Sequence, residues 1–352
     1  MLTVRLADGV VRQIAPPARV ADAVAAQPAG KSGRPIAAVL DGKTVGLDAP
    51  LPPEGTVDVE PLFAGDPRAL PVMRHSAAHI MARAVMRLFE GVELAFGPTV
   101  GEGFYYDMRA SRPITDEDLP AIEAEMKRII EADEAFERVE VPRDKAAELV
   151  RGLNQPLKAE HIETGLASHP SLSFYRQGEF VDLCRGPHVP SPGCIGAFKL
   201  TNIAGAYWKG DANNAQLQRL YGTAWFSQAD LDAHLAALEE ARRRDHRVLG
   251  KQLDLFTTSP LVGSGLVLWM PKGAVLRGTL EAFVREELAA RGYQPVYTPH
   301  IGKVDLYKIS GHYPYYADSQ FKPIAMSDDE QYLLKPMNCP HHTMIYKARP
   351  HS

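Results

Sequence analysis

Two pairs of side chains that can bind a metal or transfer protons stand far apart in this sequence. His75 and His79 are four residues apart in the Ala-rich stretch RHSAAHIMARAV, and a helix would project both imidazoles from one face. Cys184 and His188 are separated by an Arg-Gly-Pro tripeptide, which predicts a tight turn. Two imidazoles on a helix that face a thiol and an imidazole on a turn would form a metal cage or a hydrolytic pocket.

The residue types alone leave three interpretations of these four side chains open. Three imidazoles and a thiol are a tetrahedral Zn²⁺ ligand set in type. A metal-free pocket could instead orient water beside an ester, since an imidazole with a pKa of about 6.5 exchanges protons near neutrality and a positioned acid or base contributes about 10²–10⁴-fold. The third interpretation is that the histidines on the helix are ordinary packed core residues.

The residues around both pairs resemble the editing region of threonyl-tRNA synthetases. The resemblance continues towards the carboxyl terminus in the right order and covers nearly the whole chain. The segments that carry it are RHSAAHIMARAV, GPTVGEGFYYD, FVDLCRGPHVP, NIAGAYWKGDANNAQLQRLYGTAW, RDHRVLGKQLDLF, RGYQPVYTPHI and LLKPMNCPHH.

An editing region implies hydrolysis of Ser-tRNA(Thr), for a physical reason. Serine and threonine differ by one methyl group, and a difference of that size gives only about 10–200-fold discrimination, so a second site must remove mischarged serine. The resemblance adds Asp182 and Lys158 to the four catalytic candidates and implies that Tyr106 contacts the substrate. For this family we favour water activation without a metal, although alanyl-tRNA-type editing domains, which the region also resembles, are consistent with metal use.

Composition predicts a soluble multidomain protein of a reducing compartment. A length of 352 residues favours two to three domains, and 45% hydrophobic with 23% charged residues is ordinary globular usage. The net charge of −4 gives no overall basic signature, so any RNA contact must use local patches. Three cysteines cannot form a disulfide framework, and no signal-peptide core or membrane-length apolar run is present. We expect a cytoplasmic protein.

The pattern of elements predicts an α+β multidomain chain in four segments. Residues 1–62 have a β-grasp pattern of strands with a helix around Val20–Gln27, and they resemble the TGS module. Residues 63–226 are predicted to form the α+β editing domain, of the threonyl/alanyl-tRNA synthetase second additional domain type. Residues 227–250 are predicted to be one linker helix. Residues 251–352 look like the start of a class II antiparallel-sheet catalytic domain, with a helix at Val275–Ala290 and a strand at Tyr293–Thr298.

For this last segment the resemblance implies an incomplete ligase site. It makes Cys339 the first of three zinc ligands, with the other two and the ATP-binding motifs expected beyond Ser352, and it assigns Met337 to substrate binding. The intact family member uses ATP and Mg²⁺ to join threonine to tRNA(Thr) and is a homodimer. We therefore expect this chain to retain only the editing part.

Two other functions remain open at this point. The chain could be a stand-alone deacylase that hydrolyses mischarged tRNA in trans. It could also be a non-catalytic RNA-binding or regulatory paralogue, although such a module would not need every editing residue.

Overall fold

The computed structural model describes residues 1–25, 33–327 and 330–350. Their contacts divide the chain into two compact units, Met1–Arg242 and Arg243–Ser352. Both units contain helices together with mostly antiparallel strands, so the chain is a mixed α+β protein, as the sequence predicts. No described helix combines the length and the apolar character that crossing a bilayer requires.

The first unit begins with a five-stranded mixed sheet and one short helix. These elements are β1 (Leu2–Leu6), β2 (Val11–Ile14), α1 (Val20–Val24), β3 (Ala37–Leu40), β4 (Lys43–Val45) and β5 (Gly55–Leu62). The sheet order is β2-β1-β5-β3-β4, and β1 runs parallel to β5. Gly9, at φ +86°, makes the first hairpin turn that the sequence predicts. The predicted end of the first helix falls after residue 25, outside the described residues.

Two antiparallel sheets and several helices form the rest of the first unit. The helices are α2 (Leu70–Leu88), α3 (Leu119–Ala132), α4 (Arg143–Gly152) and α5 (Pro156–Thr164), and the strands are β6 (Glu93–Leu94), β7 (Thr99–Val100), β8 (Gly103–Arg109), β9 (Glu137–Pro142), β10 (Ser171–Gln177), β11 (Phe180–Leu183), β12 (Ala197–Tyr207) and β13 (Gln216–Trp225). The larger sheet has the order β12-β13-β8-β6 with β7 beside β8, and the smaller one has the order β11-β10-β9.

Helix α2 is the central element of this core. From Val72 to Val85 every side chain is buried except His75, which is partly exposed, so the helix is enclosed on nearly all sides. It packs against β8, β13 and α3, and its many alanines permit close approach of these neighbours. Pro71 stands in its first turn, where the missing N–H would have no intrahelical partner. The helix therefore holds its two histidines rigidly.

Helix α5 is fixed against the larger sheet by a buried amide. Gln155, just before the helix, accepts from the backbone N–H of Leu94 at 2.6 Å and donates to the carbonyl of Val92 at 2.8 Å. Because Lys158 lies one turn further along this helix, the amide sets the position of the lysine relative to the sheet.

The remaining elements include the connecting helices and the second unit. They are α6 (Gln228–Arg243), α7 (His246–Gln252), β14 (Phe256–Thr258), β15 (Val267–Trp269), α8 (Pro271–Ala290), β16 (Ile301–Lys303), α9 (Val304–Ile309), β17 (Ile324–Ala325), β18 (Gln331–Leu334) and α10 (Cys339–Lys347). The strands form a two-stranded sheet, β14-β15, and a three-stranded sheet, β16-β18-β17.

Two predictions in this region are wrong. The segment 227–250 is not one helix, because the carboxylate of Asp245 accepts from the backbone N–H of Arg247 at 2.7 Å and so caps a second helix. The predicted strand Tyr293–Thr298 does not form; residues 293–299 carry no regular structure. A strand needs a hydrogen-bonded neighbour, and no described strand pairs with this segment.

Helix α8 carries an apolar surface that the described residues do not cover. Its large apolar side chains are between 43% and 71% exposed, and they are Val275, Leu276, Leu280, Phe283, Val284 and Leu288. A contiguous apolar surface of this kind marks an association site.

We therefore predict that the chain self-associates through α8. The double substitution Leu280→Glu/Phe283→Glu should lower the average mass measured by light scattering, because it places charges where apolar side chains would be buried. Arg285→Glu, on the same helix, is the matched control and should leave the mass unchanged. A wild-type chain that is monomeric at high concentration would contradict the prediction.

Candidate hydrolytic site

The structure brings the two predicted pairs together. His75 and His79 project from α2, and Cys184 and His188 follow β11. One potential ligand atom from each of the four residues lies within 4.8 Å of the others, and no other such group of three or more metal-binding side chains occurs among the described residues. The four side chains therefore meet at one point, as a metal cage or a hydrolytic pocket would require.

His75 faces Cys184 with an unprotonated nitrogen. His75 Nδ1 lies 3.1 Å from the carbonyl oxygen of Gly97, which can only accept, so Nδ1 carries the proton. In a neutral ring Nε2 is then the acceptor, and it lies 3.0 Å from the sulfur of Cys184. The thiol therefore donates to His75, while the backbone N–H of Gly186 donates to the same sulfur at 3.2 Å.

His188 is oriented in the same way by Ser76. The Ser76 hydroxyl donates to the carbonyl of Val72 at 2.9 Å and accepts from the backbone N–H of Val189 at 3.0 Å. The Ser76 hydroxyl has no second proton and can only accept a further hydrogen bond. His188 Nδ1, at 3.1 Å, therefore donates to the hydroxyl oxygen. His188 Nε2 is left without a proton and lies 3.5 Å from the sulfur of Cys184.

A buried charge network joins three further candidates. The side chain of Asp182 is 3% exposed, and it accepts from Lys158 Nζ at 2.5 Å and from the hydroxyl of Tyr106. Lys158 also donates to the Tyr106 oxygen at 3.0 Å and to the carbonyl of Leu183 at 3.3 Å. His79 Nε2 lies 3.5 Å from the same carboxylate. The network connects α2, α5, β8 and β11.

Burial determines the protonation of the His/Cys group. Desolvation lowers the pKa of His75 and holds the pKa of His79 and of His188 well below the usual range. Burial also raises the pKa of the Cys184 thiol to about 12. At neutral pH the site therefore contains three neutral imidazoles and a thiol, not a thiolate.

An open cavity of about 850 Å³ gives access to most of these groups. His75, His79, Lys158, Asp182 and Cys184 line it, and Tyr106, only 1% exposed, belongs to its wall. His188 does not line the cavity, because its ring is enclosed by Phe136, stacked at 4.9 Å, and by Tyr175, edge-on at 4.4 Å. His188 thus contacts Cys184 without lining the cavity.

The loop between β4 and β5 also contacts this site. The hydroxyl of Tyr175, on β10, donates to the carboxylate of Asp48 at 2.7 Å. A side chain at Gly186 would collide with the Tyr175 ring, and Gly186 adopts a φ of +73° that disfavours other residues. Tyr175 therefore links the loop between β4 and β5 to the turn that carries Cys184 and His188.

The donor set fits Zn²⁺ in type. The protonated nitrogens of His75 and His188 are held by backbone and hydroxyl oxygens, which is the outer arrangement that orients imidazole ligands in metal sites. His79 Nδ1 is buried and has no hydrogen-bond partner among the described residues. A tetrahedral zinc site brings its ligand atoms closer together than the 4.8 Å limit of this group, so binding would require some contraction.

The two candidates in the second unit have a different setting. Cys339 is exposed at the start of α10, and Met337, 40% exposed, lies just before it. No group of three metal-binding side chains among the described residues includes Cys339, so these residues do not by themselves form a zinc site. The roles of Met337 and Cys339 stay predictions.

Sequence reasoning missed the residues that orient the site. Ser76 immediately follows His75 in the sequence, but a serine on a buried helix carries no motif of its own. Gln155 and Asp48 are equally inconspicuous, since each acts through a contact with a residue that is distant in the sequence. Only the folded chain brings these partners together.

The sequence matches known proteins along nearly its whole length. The family described as Threonyl and Alanyl tRNA synthetase second additional domain matches residues 172–221. A threonine–tRNA ligase of Rhodopirellula baltica is 47% identical over 99% of this chain and 55% of its own length. One of Thermus thermophilus is 48% identical over 100% of this chain and 55% of its own length. The chain therefore spans about half the length of the curated relatives it matches.

A solved structure also matches part of the chain. It is described as the RNA binding domain of threonyl-tRNA synthetase from Cryptosporidium parvum Iowa II, and it is 40% identical over 30% of this chain and 26% of that one. The TM-score is 0.28, which is too low to support a conclusion about the fold.

The lowered histidine pKa values predict that acid destabilises the protein. In the unfolded chain the imidazoles have their ordinary pKa of about 6.5 and take up protons between pH 7 and pH 5. In the folded site their pKa is lowered and they stay neutral over this range, so the free energy of unfolding should fall as the pH falls. Urea unfolding measured across this range tests the sign. The variant His79→Asn/His188→Asn should show a shallower dependence, and an unchanged slope would contradict the assignment.

The contact between Asp48 and Tyr175 predicts a second effect on stability. Tyr175→Phe removes a hydrogen bond to a charged group and should lower the free energy of unfolding by about 1.5–3 kcal/mol. Asp48→Asn keeps an accepting oxygen and should cost less than Asp48→Ala, which leaves the buried hydroxyl unpartnered. Equal stabilities of all three variants and the wild type, measured by urea unfolding, would refute the coupling.

Proposed function

The chain belongs to the threonyl-tRNA synthetase family, and from this premise we propose that its His/Cys cavity hydrolyses the ester that joins serine to tRNA(Thr). The observation that supports the proposal is the convergence of His75, Lys158 and Cys184 on one open cavity. A neutral imidazole, an ammonium and a thiol donor suit proton transfer around an ester. The proposal concerns Met1–Arg242, the compact unit that contains the cavity.

In the proposed reaction a water molecule attacks the carbonyl carbon of the ester. His75, the partly exposed imidazole, accepts a proton of the water through Nε2, where the water takes the place of the Cys184 thiol. His75 then returns this proton to the ribose oxygen as the C–O bond to the ribose breaks. Cys184 does not act as a nucleophile, because its raised pKa keeps it protonated. Its thiol instead holds the His75 ring in position in the free protein.

Lys158 contributes positive charge where the carbonyl oxygen becomes negative. All three of its N–H donors have partners in the free protein: Asp182, Tyr106 and the carbonyl of Leu183. The contact with Leu183, at 3.3 Å, is the longest of the three and is the one that a substrate oxygen would replace. Asp182 and Tyr106 keep the ammonium in place during this exchange.

Discrimination follows from size. The site must accept the side chain of serine and exclude the additional methyl group of threonine, which a rigid wall achieves more strongly than attraction does. Tyr106 and Asp182 form such a wall, since both are almost fully buried and hydrogen-bonded to each other.

A metal-dependent form of the same reaction is the second candidate, and the four-residue group supports it. His75, His79, Cys184 and His188 would hold Zn²⁺, which when bound lowers the pKa of a water ligand. We favour the metal-free form because both nitrogens of His75 already have hydrogen-bond partners, the carbonyl of Gly97 and the thiol of Cys184.

The assignments for the whole family member are proposals as well. Residues 1–62 are proposed to be a TGS β-grasp module, on the basis of the mixed sheet with its parallel β1–β5 pair. Residues 63–226 are proposed to be the editing domain, and residues 227–250 the connection. Residues 251–352 are proposed to be part of a class II catalytic domain. In a complete ligase these parts would serve ATP- and Mg²⁺-dependent charging of tRNA(Thr) with threonine by a homodimer. Met337 and Cys339 would contribute to the threonine and zinc site.

The editing proposal predicts that the purified chain deacylates Ser-tRNA(Thr) and spares Thr-tRNA(Thr). His75→Ala should lower the rate for the seryl ester by about 10²-fold or more, because it removes the proton acceptor. His246→Ala is the matched control, since this histidine side chain is 81% exposed, and it should leave the rate unchanged. Equal hydrolysis of both esters, or an unaffected His75→Ala variant, would contradict the proposal.

Cys184→Ser separates the metal-free and metal-dependent forms. A hydroxyl can still donate to His75, so in the metal-free form the variant should keep partial activity, and chelator treatment should not lower the wild-type rate. Zinc content measured on the wild-type chain should be far below one ion per chain. Stoichiometric zinc that is lost in Cys184→Ser together with all activity would establish the alternative.

A further inference from the structure

A second cleft adjoins the hydrolytic cavity on the side of the β12–β13 hairpin. It has a volume of about 380 Å³ and shares Phe96 and Tyr105 with the first cavity. One side of it is lined by the end of β12 and the following turn, which correspond to the sequence GAYWKG. The hydrolytic mechanism uses no residue of this segment.

Two aromatic rings of the cleft, those of Phe96 and Tyr207, are partly exposed to solvent. The ring of Phe96 is stacked on Trp208, with centroids 5.2 Å apart and an interplanar angle of 13°. Trp208 is buried beneath it, whereas Phe96 and Tyr207 are 36% and 44% exposed. Exposed aromatic rings on a supported platform are the surfaces on which unpaired nucleic-acid bases stack.

Cationic groups stand beside these rings. The guanidinium of Arg219 lies 3.9 Å from the centroid of Tyr105, and Lys209 Nζ lies 5.5 Å from that of Trp208. Lys209 adopts a φ of +55°, a left-handed conformation that a lysine rarely takes and that persists only where the surroundings impose it. Asp107 and Glu160 pair with the two cations, so the cleft is locally balanced in charge rather than strongly basic.

The exposed side chain of Arg185 adds a further positive charge at the first cavity. It immediately follows Cys184 and lines that cavity. No hydrogen bond or ion pair from its side chain to another described residue is present. A guanidinium at this place can bind a phosphate between the esterified nucleotide and the one before it.

We propose that the second cleft binds the unpaired nucleotides that precede the esterified terminal nucleotide of the RNA substrate. The inference rests on the proposed function in taking the first cavity as the site of the ester. Bases would stack on Tyr207 and Phe96, and the backbone would pass Arg185 where it lines the first cavity. Stacking of this kind tolerates different bases, so the cleft would add affinity for a single-stranded 3′ end rather than read its sequence.

The cleft is tested directly by the binding of a 5′-labelled RNA tetranucleotide that has the sequence of a tRNA 3′ end and carries no amino acid. Fluorescence anisotropy with the full chain should show about 5- to 100-fold weaker binding by Tyr207→Ala, which removes one stacking surface. Tyr207→Phe retains the ring and should bind close to wild type. Val100→Ala, an exposed apolar residue of β7 outside both cavities, is the control and should also bind like wild type.

Hydrolysis gives an independent readout. The wild type should have a higher kcat/KM for the seryl ester of the tetranucleotide than for seryl-adenosine, and this preference should shrink in Tyr207→Ala. Unchanged tetranucleotide binding by Tyr207→Ala, or no preference in the wild type, would overturn the cleft assignment while leaving the editing proposal intact. If the wild type hydrolyses neither ester, the editing proposal is overturned. The binding measurement still tests the cleft assignment in that case.

Discussion

The buried carboxylate of Asp182 is the constraint on which the rest of the site depends. A charge this far from solvent is tolerated only with close partners, and here the partners are Lys158 and Tyr106. They come from α5 and β8, while His79 approaches the same carboxylate from α2. Satisfying one charge therefore requires four elements to meet at one point, and their meeting forms the wall of the cavity.

The same burial selects the chemistry. Water is excluded from most of the histidine rings, which keeps them neutral and raises the pKa of Cys184. A thiol that stays protonated makes covalent catalysis unfavourable, whereas a neutral imidazole with an oriented lone pair suits acceptance of a proton from water. Ser76 and the carbonyl of Gly97 provide that orientation by holding the protonated nitrogens. In the proposed reaction this arrangement would position a water molecule beside Lys158.

The sequence was sufficient for the elements whose signals are local. The HxxxH spacing on an Ala-rich stretch predicted helix α2, and the Arg-Gly-Pro tripeptide predicted the turn between Cys184 and His188. The resemblance to the family added Lys158, Asp182 and Tyr106 as candidate site residues. Sequence reasoning failed where an outcome depends on a neighbour: the capping carboxylate of Asp245 divides the connecting helix, and residues 293–299 lack a strand to pair with. Aromatic packing around the ring of His188 could not be read from the sequence either, and its role in the site stays a prediction.

Coupling between Lys158 and Asp182 tests the central claim most directly. The measurement is kcat/KM for hydrolysis of Ser-tRNA(Thr) by Lys158→Met, by Asp182→Asn and by the double variant. If the two groups act as one unit, the double variant should lose no more activity than the more impaired single variant, because the second substitution removes a group already deprived of its partner. Losses that multiply in the double variant would show that the two side chains act independently and would contradict the account.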